Sequence, residues 1–157
     1  MTTDRRGLIA KLGGGAALLL LASVPIFEGT ILKTYRDPIG ILTACNGHTG
    51  PELRLGQKFT AEQCEEMLLV DLAEHADDVR ACISAPLTEG QRAAFVSFAF
   101  NVGGKAFCGS TLVRKANARD MAGACAELSR WTYAGGKQLP GLVTRRATER
   151  RWCEGGA

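Results

Sequence analysis

The pattern of hydrophobic and polar positions changes twice along the chain and separates three kinds of segment. Residues 12–27 form an uncharged, strongly apolar run. Residues 28–50 carry short groups of Ile, Leu, Thr and Tyr between glycine and proline residues at turn spacing, which predicts short hairpin strands. From residue 60 onward, apolar side chains recur every three or four positions, which predicts helices. The pattern therefore indicates an α+β protein that is mostly α-helical.

Capping boxes, in which a threonine is followed three residues later by a glutamine, mark the start of two predicted helices. They are Thr60 with Gln63 and Thr88 with Gln91. The apolar stripes behind them predict a long helix over residues 61–83 and a second over residues 92–101, which Gly103 and Gly104 should end. Further helices are predicted over residues 110–116, 120–131 and 141–152, with a loop over residues 132–140.

The length of 157 residues suits one domain with a proper core, and the net charge of +3 is mild. A nucleic-acid-binding protein would be expected to carry a strongly basic face, so nucleic acid is not an expected partner. A small positive charge suits a protein that meets an anionic polymer such as a bacterial cell wall.

Six cysteines in a chain of this length indicate disulfides and an oxidising compartment. None forms a C-x-x-C pair, and both histidines lie far from such a spacing, so no zinc or other metal site and no cofactor is expected. Six cysteines allow fifteen pairings. We expect the sequential set, in which each bridge closes a loop of roughly 20 to 30 residues and contributes about 3 kcal/mol. The expected bridges are Cys45–Cys64, Cys82–Cys108 and Cys125–Cys153.

The apolar run can cross a bilayer only if it is extended toward the N-terminus. As a helix, residues 12–27 would span about 24 Å and residues 7–27 about 31 Å, against roughly 30 Å of hydrocarbon. The basic residues Arg5, Arg6 and Lys11 would keep the N-terminus in the cytoplasm and place the rest of the chain outside. A cleaved signal peptide, a permanent anchor and an anchor that later leaves the membrane all fit this pattern.

Two carboxylates and a hydroxyl group follow the apolar run. Glu28 and Asp37 are nine residues apart, and Thr43 lies six residues beyond Asp37. Carboxylates on either side of a tight turn can converge on one cleft, as acid–base chemistry on a glycosidic bond requires. The spacing alone also fits solvated surface charges. Cys45 with His48 as its base would be a nucleophilic alternative, but a disulfide at Cys45 is favoured.

The local sequence around these residues resembles the catalytic signature of the phage-type lysozymes, glycoside hydrolase family 24. The signature is carried by Glu28-Gly29, by Tyr35-x-Asp37, by a Gly-x-x-Thr that ends at Thr43 and by Gly47-His48-Thr49-Gly50. The resemblance continues in the same order through residues 98–103, 110–112, 130–137 and 141–146, and it covers residues 28–153.

The resemblance implies a lysozyme-like fold with two lobes, a small β-hairpin lobe that carries the site and a larger helical lobe. It implies hydrolysis of the β-1,4 bond between N-acetylmuramic acid and N-acetylglucosamine in bacterial peptidoglycan. Glu28 would be the general acid, which must carry a proton when it acts. Asp37 would stabilise the developing positive charge and help to activate water, and Thr43 would position that water.

Other residues receive expected roles from the same resemblance. Asn101, His48 and Gly103 are candidate substrate contacts, and His48 is also expected to support the hairpin. Most of the arginines in the last helix should be surface charges, but Arg145 or Arg146 is expected to pair with Glu28.

The N-terminal run resembles the signal-anchor-release segments of lambdoid-phage endolysins, which are likewise rich in Gly and Ala and uncleaved. This favours a transient anchor in residues 1–27, ahead of a catalytic domain over residues 28–157. We expect residues 7–27 to span the host inner membrane and the enzyme then to enter the periplasm as a monomer. There it would work with a holin or pinholin, by family analogy, and lyse the host as an endolysin. Release would let residues 7–27 fold back as the first helix of the enzyme and bring Glu28 to the site.

Two other functions stay open on the sequence. A lytic transglycosylase also needs a glutamate, but it has no use for Asp37 and Thr43 as a water-positioning pair. The other is a non-catalytic membrane-anchored protein that binds the wall or forms pores. A wall-binding module would have no need of Glu28, Asp37 and Thr43 together. A pore former would need more than one convincing membrane span.

Overall fold

The computed structural model describes residues 4–156, which form eight α-helices, one 3₁₀ turn and two small antiparallel sheets. The helices are α1 (Arg5–Leu12), α2 (Gly14–Glu28), α3 (Ala61–Cys82), α4 (Glu89–Val102), α5 (Gly104–Cys108), α6 (Thr111–Asn117), α7 (Met121–Glu127) and α8 (Pro140–Cys153). The strands are β1 (Ile31–Arg36), β2 (Leu42–Cys45), β3 (Tyr133–Ala134) and β4 (Lys137–Gln138), and the 3₁₀ turn is Leu128–Arg130. The prediction of a mostly helical α+β protein is confirmed.

The larger lobe is a helical bundle with α4 at its centre, packed against α2, α3 and α8. Phe95 and Phe98 on α4 are fully buried. The ring of Phe98 meets those of Phe107 and Trp131 nearly edge-on, with centroids 6.0 and 5.1 Å apart. Burial of one such side chain is worth about 1.5–3 kcal/mol. The aromatic stripe predicted on this helix therefore belongs to the hydrophobic core.

The N-terminal apolar run is part of this bundle, but as two helices rather than the single helix expected. α1 packs against α3 and α2 packs against α4, and the two helices meet at an angle of 100° at Gly13, whose φ is +91°. Glycine adopts such a φ without strain. Leu12, Leu20 and Val24 are fully buried in the core.

The outer face of α2 is also apolar, with Leu18 76% and Ile26 81% exposed. Only one stripe of a helix faces the core in a soluble bundle, so an apolar residue on the opposite face meets water. Within residues 4–156, neither α1 nor α2 nor any other helix is by itself long and apolar enough to cross a bilayer, whereas α1 and α2 taken together would be.

The smaller lobe is the β1–β2 hairpin with the loop that follows it. The strands are antiparallel, with Tyr35 opposite Thr43 and Arg36 opposite Leu42, as the turn spacing predicted. A separate small core of buried side chains holds the lobe together, namely Ala44, Cys45, Leu53, Phe59 and Cys64. Since Cys64 is in the first turn of α3, this core fastens the hairpin to the helix that joins the two lobes.

The two predicted capping boxes are confirmed, but α4 begins at Glu89 rather than at residue 92, and other predicted boundaries also differ. Both capping boxes are present, at Thr60 and at Thr88. Gly103 ends α4 as predicted, but a new short helix begins at Gly104. The helix expected to reach residue 131 is α7 followed by a 3₁₀ turn, and the expected loop contains the β3–β4 hairpin. The last two differences arise where few apolar positions constrain the local period.

The three disulfides are the sequential set, Cys45–Cys64, Cys82–Cys108 and Cys125–Cys153, as expected. They join β2 to α3, α3 to α5 and α7 to α8. The bridged cysteines are 19, 26 and 28 residues apart in the sequence, and the first bridge ties the hairpin lobe to α3.

Candidate active site

Glu28 is the last residue of α2 and lies where the helical lobe meets the hairpin. The helix stops there because Gly29 adopts a φ of +74°, with its N–H donating to Pro25 O at 2.8 Å. Asn46, in the turn after β2, fastens the same bend from the other side. Its Nδ2 donates to Gly29 O and to Thr30 Oγ1, each at 2.7 Å. The backbone on both sides of Glu28 is thus fixed.

Arg145 on α8 holds the Glu28 carboxylate by an ion pair between its Nη1 and Glu28 Oε1. The other nitrogens of the guanidinium are also engaged. Nη2 donates to Ser97 O at 3.1 Å, and Nε donates to Glu149 Oε1 at 3.3 Å. The guanidinium carbon lies 5.0 Å from the centroid of the Phe27 ring, a cation–π contact. Arg145 is therefore a buried, fully oriented partner for Glu28.

Glu149 lies at the centre of this buried network. Its Oε1 accepts a hydrogen bond from Ser97 Oγ at 2.7 Å, and its Oε2 lies 2.9 Å from Arg146 Nε. Burial raises the pKa of the Glu149 carboxyl, against the opposing effect of the two arginines. Burial together with the neighbouring Arg145 lowers the pKa of Arg146 to about 10, so Arg146 is still a cation at neutral pH.

The same network reaches a second residue of the site. Arg146 Nη2 donates to Asn101 Oδ1 at 2.8 Å, at the C-terminal end of α4. The Asn101 carbonyl is therefore turned toward Arg146, which leaves its amide group as a hydrogen-bond donor. Arg145 and Arg146 thus orient Glu28 and Asn101 respectively, and Glu149 holds both arginines.

A cavity of about 360 Å³ opens beside Glu28 between the two lobes. Its walls come from the turn after β2, from α3 and from the end of α4. They are formed by Glu28, Asn46, Gly47, Thr49, Asp71, Glu74, His75, Phe100 and Asn101. Carboxylate, amide and hydroxyl groups predominate, a composition that suits hydrogen bonding to a sugar. Among residues 4–156, no three His, Cys, Asp or Glu side chains are placed to hold a metal ion.

Asp37 and Thr43 lie on the hairpin and not in the wall of this cavity. Asp37 forms the hairpin turn, where its Oδ1 accepts the N–H groups of Ile39 at 3.0 Å and Ile41 at 2.9 Å. Thr43 is buried, and its Oγ1 donates to Ile41 O at 3.0 Å. The structure therefore places both residues on the strand pair whose base is fastened beside Glu28, and it fixes the orientation of each side chain.

The three candidate substrate contacts occupy different surroundings. Asn101 lines the cavity. His48 does not line the cavity, and its Nδ1 lies 2.8 Å from Asp71 Oδ2 and its Nε2 2.6 Å from Glu52 Oε1. Gly103 ends α4 with a φ of +92°, and it does not line the cavity. Of the six residues expected to act or bind, Glu28 and Asn101 are thus brought to one cavity.

Burial lowers the pKa of His48, but its hydrogen bonds to Glu52 and Asp71 outweigh this effect, and the pKa is raised overall. The hydrogen bond to His48 lowers the pKa of Glu52. His48 and Glu52 follow the hairpin, whereas Asp71 belongs to α3. A protonated His48 therefore joins the two lobes through charged hydrogen bonds.

Several site residues were not predicted. Arg145 was expected only as one of two alternatives, and the burial of both arginines contradicts the expectation that most charges of α8 lie on the surface. Arg145, Arg146 and Glu149 share one face of α8 because they are three and four residues apart, and that spacing was the available signal. Asn46, Asp71 and Glu74 line the cavity without any local pattern that marks them.

Comparison with known proteins identifies what this chain is similar to. A family model described as phage lysozyme matches residues 25–149. The chain is 43% identical to the SAR-endolysin of Enterobacteria phage PA-2 over 157 residues, which cover 95% of this chain and 94% of that protein. It is 37% identical to the SAR-endolysin of Escherichia phage Mu over 136 residues, covering 87% and 79% respectively.

Solved structures give the same result. The muramidase domain of SpmX from Asticaccaulis excentricus is similar with a TM-score of 0.79 at 31% identity, covering 85% of this chain and 93% of that one. An endolysin from Escherichia coli O157:H7 phage FAHEc1 is similar with a TM-score of 0.76 at 30% identity, covering 90% and 91%.

Proposed function

The chain belongs to the phage lysozyme family and is a glycoside hydrolase of the lysozyme type, and from this premise we propose that Glu28, Asp37 and Thr43 carry its catalysis. The substrate is peptidoglycan, and the bond cleaved is the β-1,4 bond between N-acetylmuramic acid and N-acetylglucosamine. The observation that carries the proposal is the position of Glu28, which lines a polar cavity between the lobes and is held there by Arg145.

Glu28 is the general acid in this proposal. It donates a proton to the glycosidic oxygen of the sugar that leaves. Its fixed backbone and its contact with Arg145 hold the carboxyl group in one orientation, which is the main requirement for efficient proton transfer. Asn101 provides an amide donor to the bound sugar in the same cavity.

Asp37 and Thr43 act from the hairpin. The Asp37 carboxylate accepts two backbone N–H groups, which fix its orientation in the hairpin turn. It faces the positive charge that develops on the sugar and assists the attacking water, and the Thr43 hydroxyl orients that water. His48 ties the segment after the hairpin to Asp71 of α3, and Gly103 ends the helix that presents Asn101.

The enzyme reaches its substrate as an endolysin whose N-terminal segment first lies in the host inner membrane. The relatives named SAR-endolysins match nearly the whole chain, including this segment. While residues 7–27 span the bilayer, α2 is not packed on α4, and Glu28 is not beside Arg145. After release into the periplasm, the segment folds into the bundle and completes the site. A holin or pinholin acts with it by family analogy, and the released enzyme works as a monomer.

The catalytic proposal is tested by digestion of purified peptidoglycan with the wild type, Glu28→Gln and Glu62→Gln, followed by mass analysis of the glycan ends. Glu62 is an exposed carboxylate in the first turn of α3, so its variant is a control for loss of one charge. We expect reducing N-acetylmuramic acid ends from the wild type and Glu62→Gln, and none from Glu28→Gln. Anhydro-muramic ends would identify a transglycosylase instead. No cleavage by the wild type, with its disulfides formed, would favour a binding role.

Membrane release is tested with Gly14→Leu combined with Ala22→Leu. Both positions are exposed in the folded bundle, so larger side chains there leave the packing of α2 intact while making the span more apolar. We expect the variant to stay in the membrane fraction and to be inactive until extracted into detergent. Equal release of wild type and variant into the periplasm would contradict the proposed anchor.

A further inference from the structure

The first turn of α2 is held by a carboxylate from another helix. Ala16 N–H donates to Glu89 Oε2 at 2.7 Å, and Glu89 is the first residue of α4, 73 residues further along the chain. The first N–H groups of a helix have no partner within it and usually bond to the side chain of the N-cap residue. The N-cap of α2 is Gly13, which has no side chain. Glu89 therefore supplies the missing acceptor.

The glycines at this point provide space for the Glu89 carboxylate. A Cβ atom at Gly13 would lie 2.6 and 2.7 Å from its two oxygens, and one at Gly15 would lie 3.2 Å from Glu89 Cβ and Cγ. A Cβ atom at Gly14 would meet nothing within 4 Å. The absence of a side chain at Gly13 and Gly15 therefore leaves room for Glu89, whereas a side chain at Gly14 would not meet it.

The electrostatic setting also favours a carboxylate here. Glu89 lies at the N-terminal ends of both α2 and α4, where the helix dipoles favour a negative charge, and its Oε1 is 3.8 Å from Arg92 Nη1. The ion pairs of α1 with α3, Arg5–Glu65 and Lys11–Asp77, are each about half exposed and contribute little. The Glu89 side chain is also about half exposed (51%), but its contact with Ala16 N–H is partly buried and satisfies a backbone donor at the start of α2.

We propose that Glu89 is a positioning residue for Glu28 that acts through α2. Ala16 and Glu28 are 12 residues apart on one helix, about 18 Å along its axis. Glu89 fixes one end of α2, and Arg145 binds the residue at the other end. The inference rests on the proposed release of residues 7–27. Once the segment leaves the membrane, the Glu89 carboxylate determines where α2 docks and therefore where Glu28 lies.

The test uses the full chain in its released form and compares Gly15→Ala with Gly14→Ala. Both changes add one methyl group to the same turn of α2 and increase its helix propensity equally, but only the methyl group at residue 15 meets Glu89. Amide hydrogen exchange in α2 reports the opening of this helix. We expect faster exchange in α2 and a lower kcat, with unchanged KM, for Gly15→Ala and not for Gly14→Ala.

Glu89→Ala removes the acceptor altogether. We expect exchange in α2 to become at least about tenfold faster, because hydrogen bonds to charged groups are worth a factor of this size or more. Glu89→Gln keeps an oxygen acceptor and should restore part of the protection. Binding to vesicles of phosphatidylethanolamine and phosphatidylglycerol should increase for Glu89→Ala, because weaker docking frees the apolar segment. Glu62→Ala, which removes the first-turn carboxylate of α3, should change neither exchange in α2 nor vesicle binding.

The inference is overturned if Glu89→Ala keeps either wild-type exchange in α2 or wild-type kcat. It is also overturned if the faster exchange is confined to the first turn of α4, because Glu89 would then only cap its own helix. In both cases the wild type still hydrolyses peptidoglycan and Glu28→Gln does not, so the proposed function stands. Failure of the wild type itself would overturn the proposed function.

Discussion

Glu28 and Arg145 form an ion pair although they are 117 residues apart in the sequence. The pair joins the last residue of α2 to α8, and therefore joins the N-terminal segment to the C-terminal helix of the same lobe. Arg145 is in turn held by Glu149 and Ser97. The position of Glu28 thus depends on a buried network that is assembled only in the complete bundle.

Replacement of Glu149 by glutamine should destabilise the protein strongly. The side chain is 0% exposed and lies against two buried arginines. The variant therefore removes the negative charge that Arg145 and Arg146 share. Loss of one partner from a buried ion pair costs about 3–5 kcal/mol. In a chain of this size we expect the Tm to fall by about 10 °C, as measured by circular dichroism.

Glu154→Gln is the matched control on the same helix. Glu154 pairs with Arg150 at 2.7 Å, but both side chains are more than 40% exposed. Such a surface pair contributes about 1 kcal/mol or less. Equal Tm values for the two variants would contradict a special role for the buried network.

Replacement of Arg145 by lysine should reduce kcat by at least about tenfold with little change in KM. Lysine keeps the positive charge, but it cannot contact Glu28, Ser97 and Glu149 together through a planar fork. One hydrogen bond to a charged group corresponds to a factor of about ten or more in rate. Arg145 does not line the cavity, so substrate affinity should hold. Arg150→Lys, at the exposed end of the helix, should retain the wild-type kcat.

The parts of the fold that the sequence predicted are those governed by local patterns. The capping boxes at Thr60 and Thr88, the apolar stripe of α4 and the hairpin between residues 31 and 45 each depend on residues a few positions apart. The disulfides could be predicted as a sequential set because each closes a short loop.

The parts that were missed depend on contacts between distant segments. The break at Gly13 could not be foreseen, because the carboxylate that occupies the space beside it comes from Glu89. The arginines of α8 resembled a solvated charged face, because their partners Glu28 and Asn101 belong to other helices. Asp71 and Glu74 appeared to be ordinary charges of a long amphipathic helix until the hairpin was placed opposite them.

Removal of two different disulfides should have the same effect on stability and different effects on activity. Cys45→Ala with Cys64→Ala opens a loop of 19 residues, and Cys125→Ala with Cys153→Ala opens one of 28. Each should lose about 3–4 kcal/mol by the chain-entropy estimate. The first bridge also holds Cys45, which has a φ of +58°, at the end of the strand that leads into the cavity wall. We therefore expect a lower kcat only for the first pair, measured at a temperature where both variants are folded. Equal kcat values for the two variants would refute a role of this bridge in the site.

His48 should make the stability of the contact between the lobes depend on pH. The pKa of His48 is raised in the folded protein by Glu52 and Asp71, so the protonated form stabilises the fold. This stabilisation is fully present below the unfolded pKa of about 6.5 and is lost as pH rises through the higher folded value. His48→Asn should therefore lower the Tm most below about pH 6 and progressively less above neutral pH.

A double-mutant cycle with Asp71→Asn assigns the effect to the contact between the lobes. The two side chains are 2.8 Å apart, so the single and double variants should lose similar stability below about pH 6, and the losses should not add. Above the folded pKa of His48 the coupling should become small, because the imidazole is then neutral. A Tm difference between wild type and His48→Asn that stays constant across this pH range would show that the histidine acts only by packing.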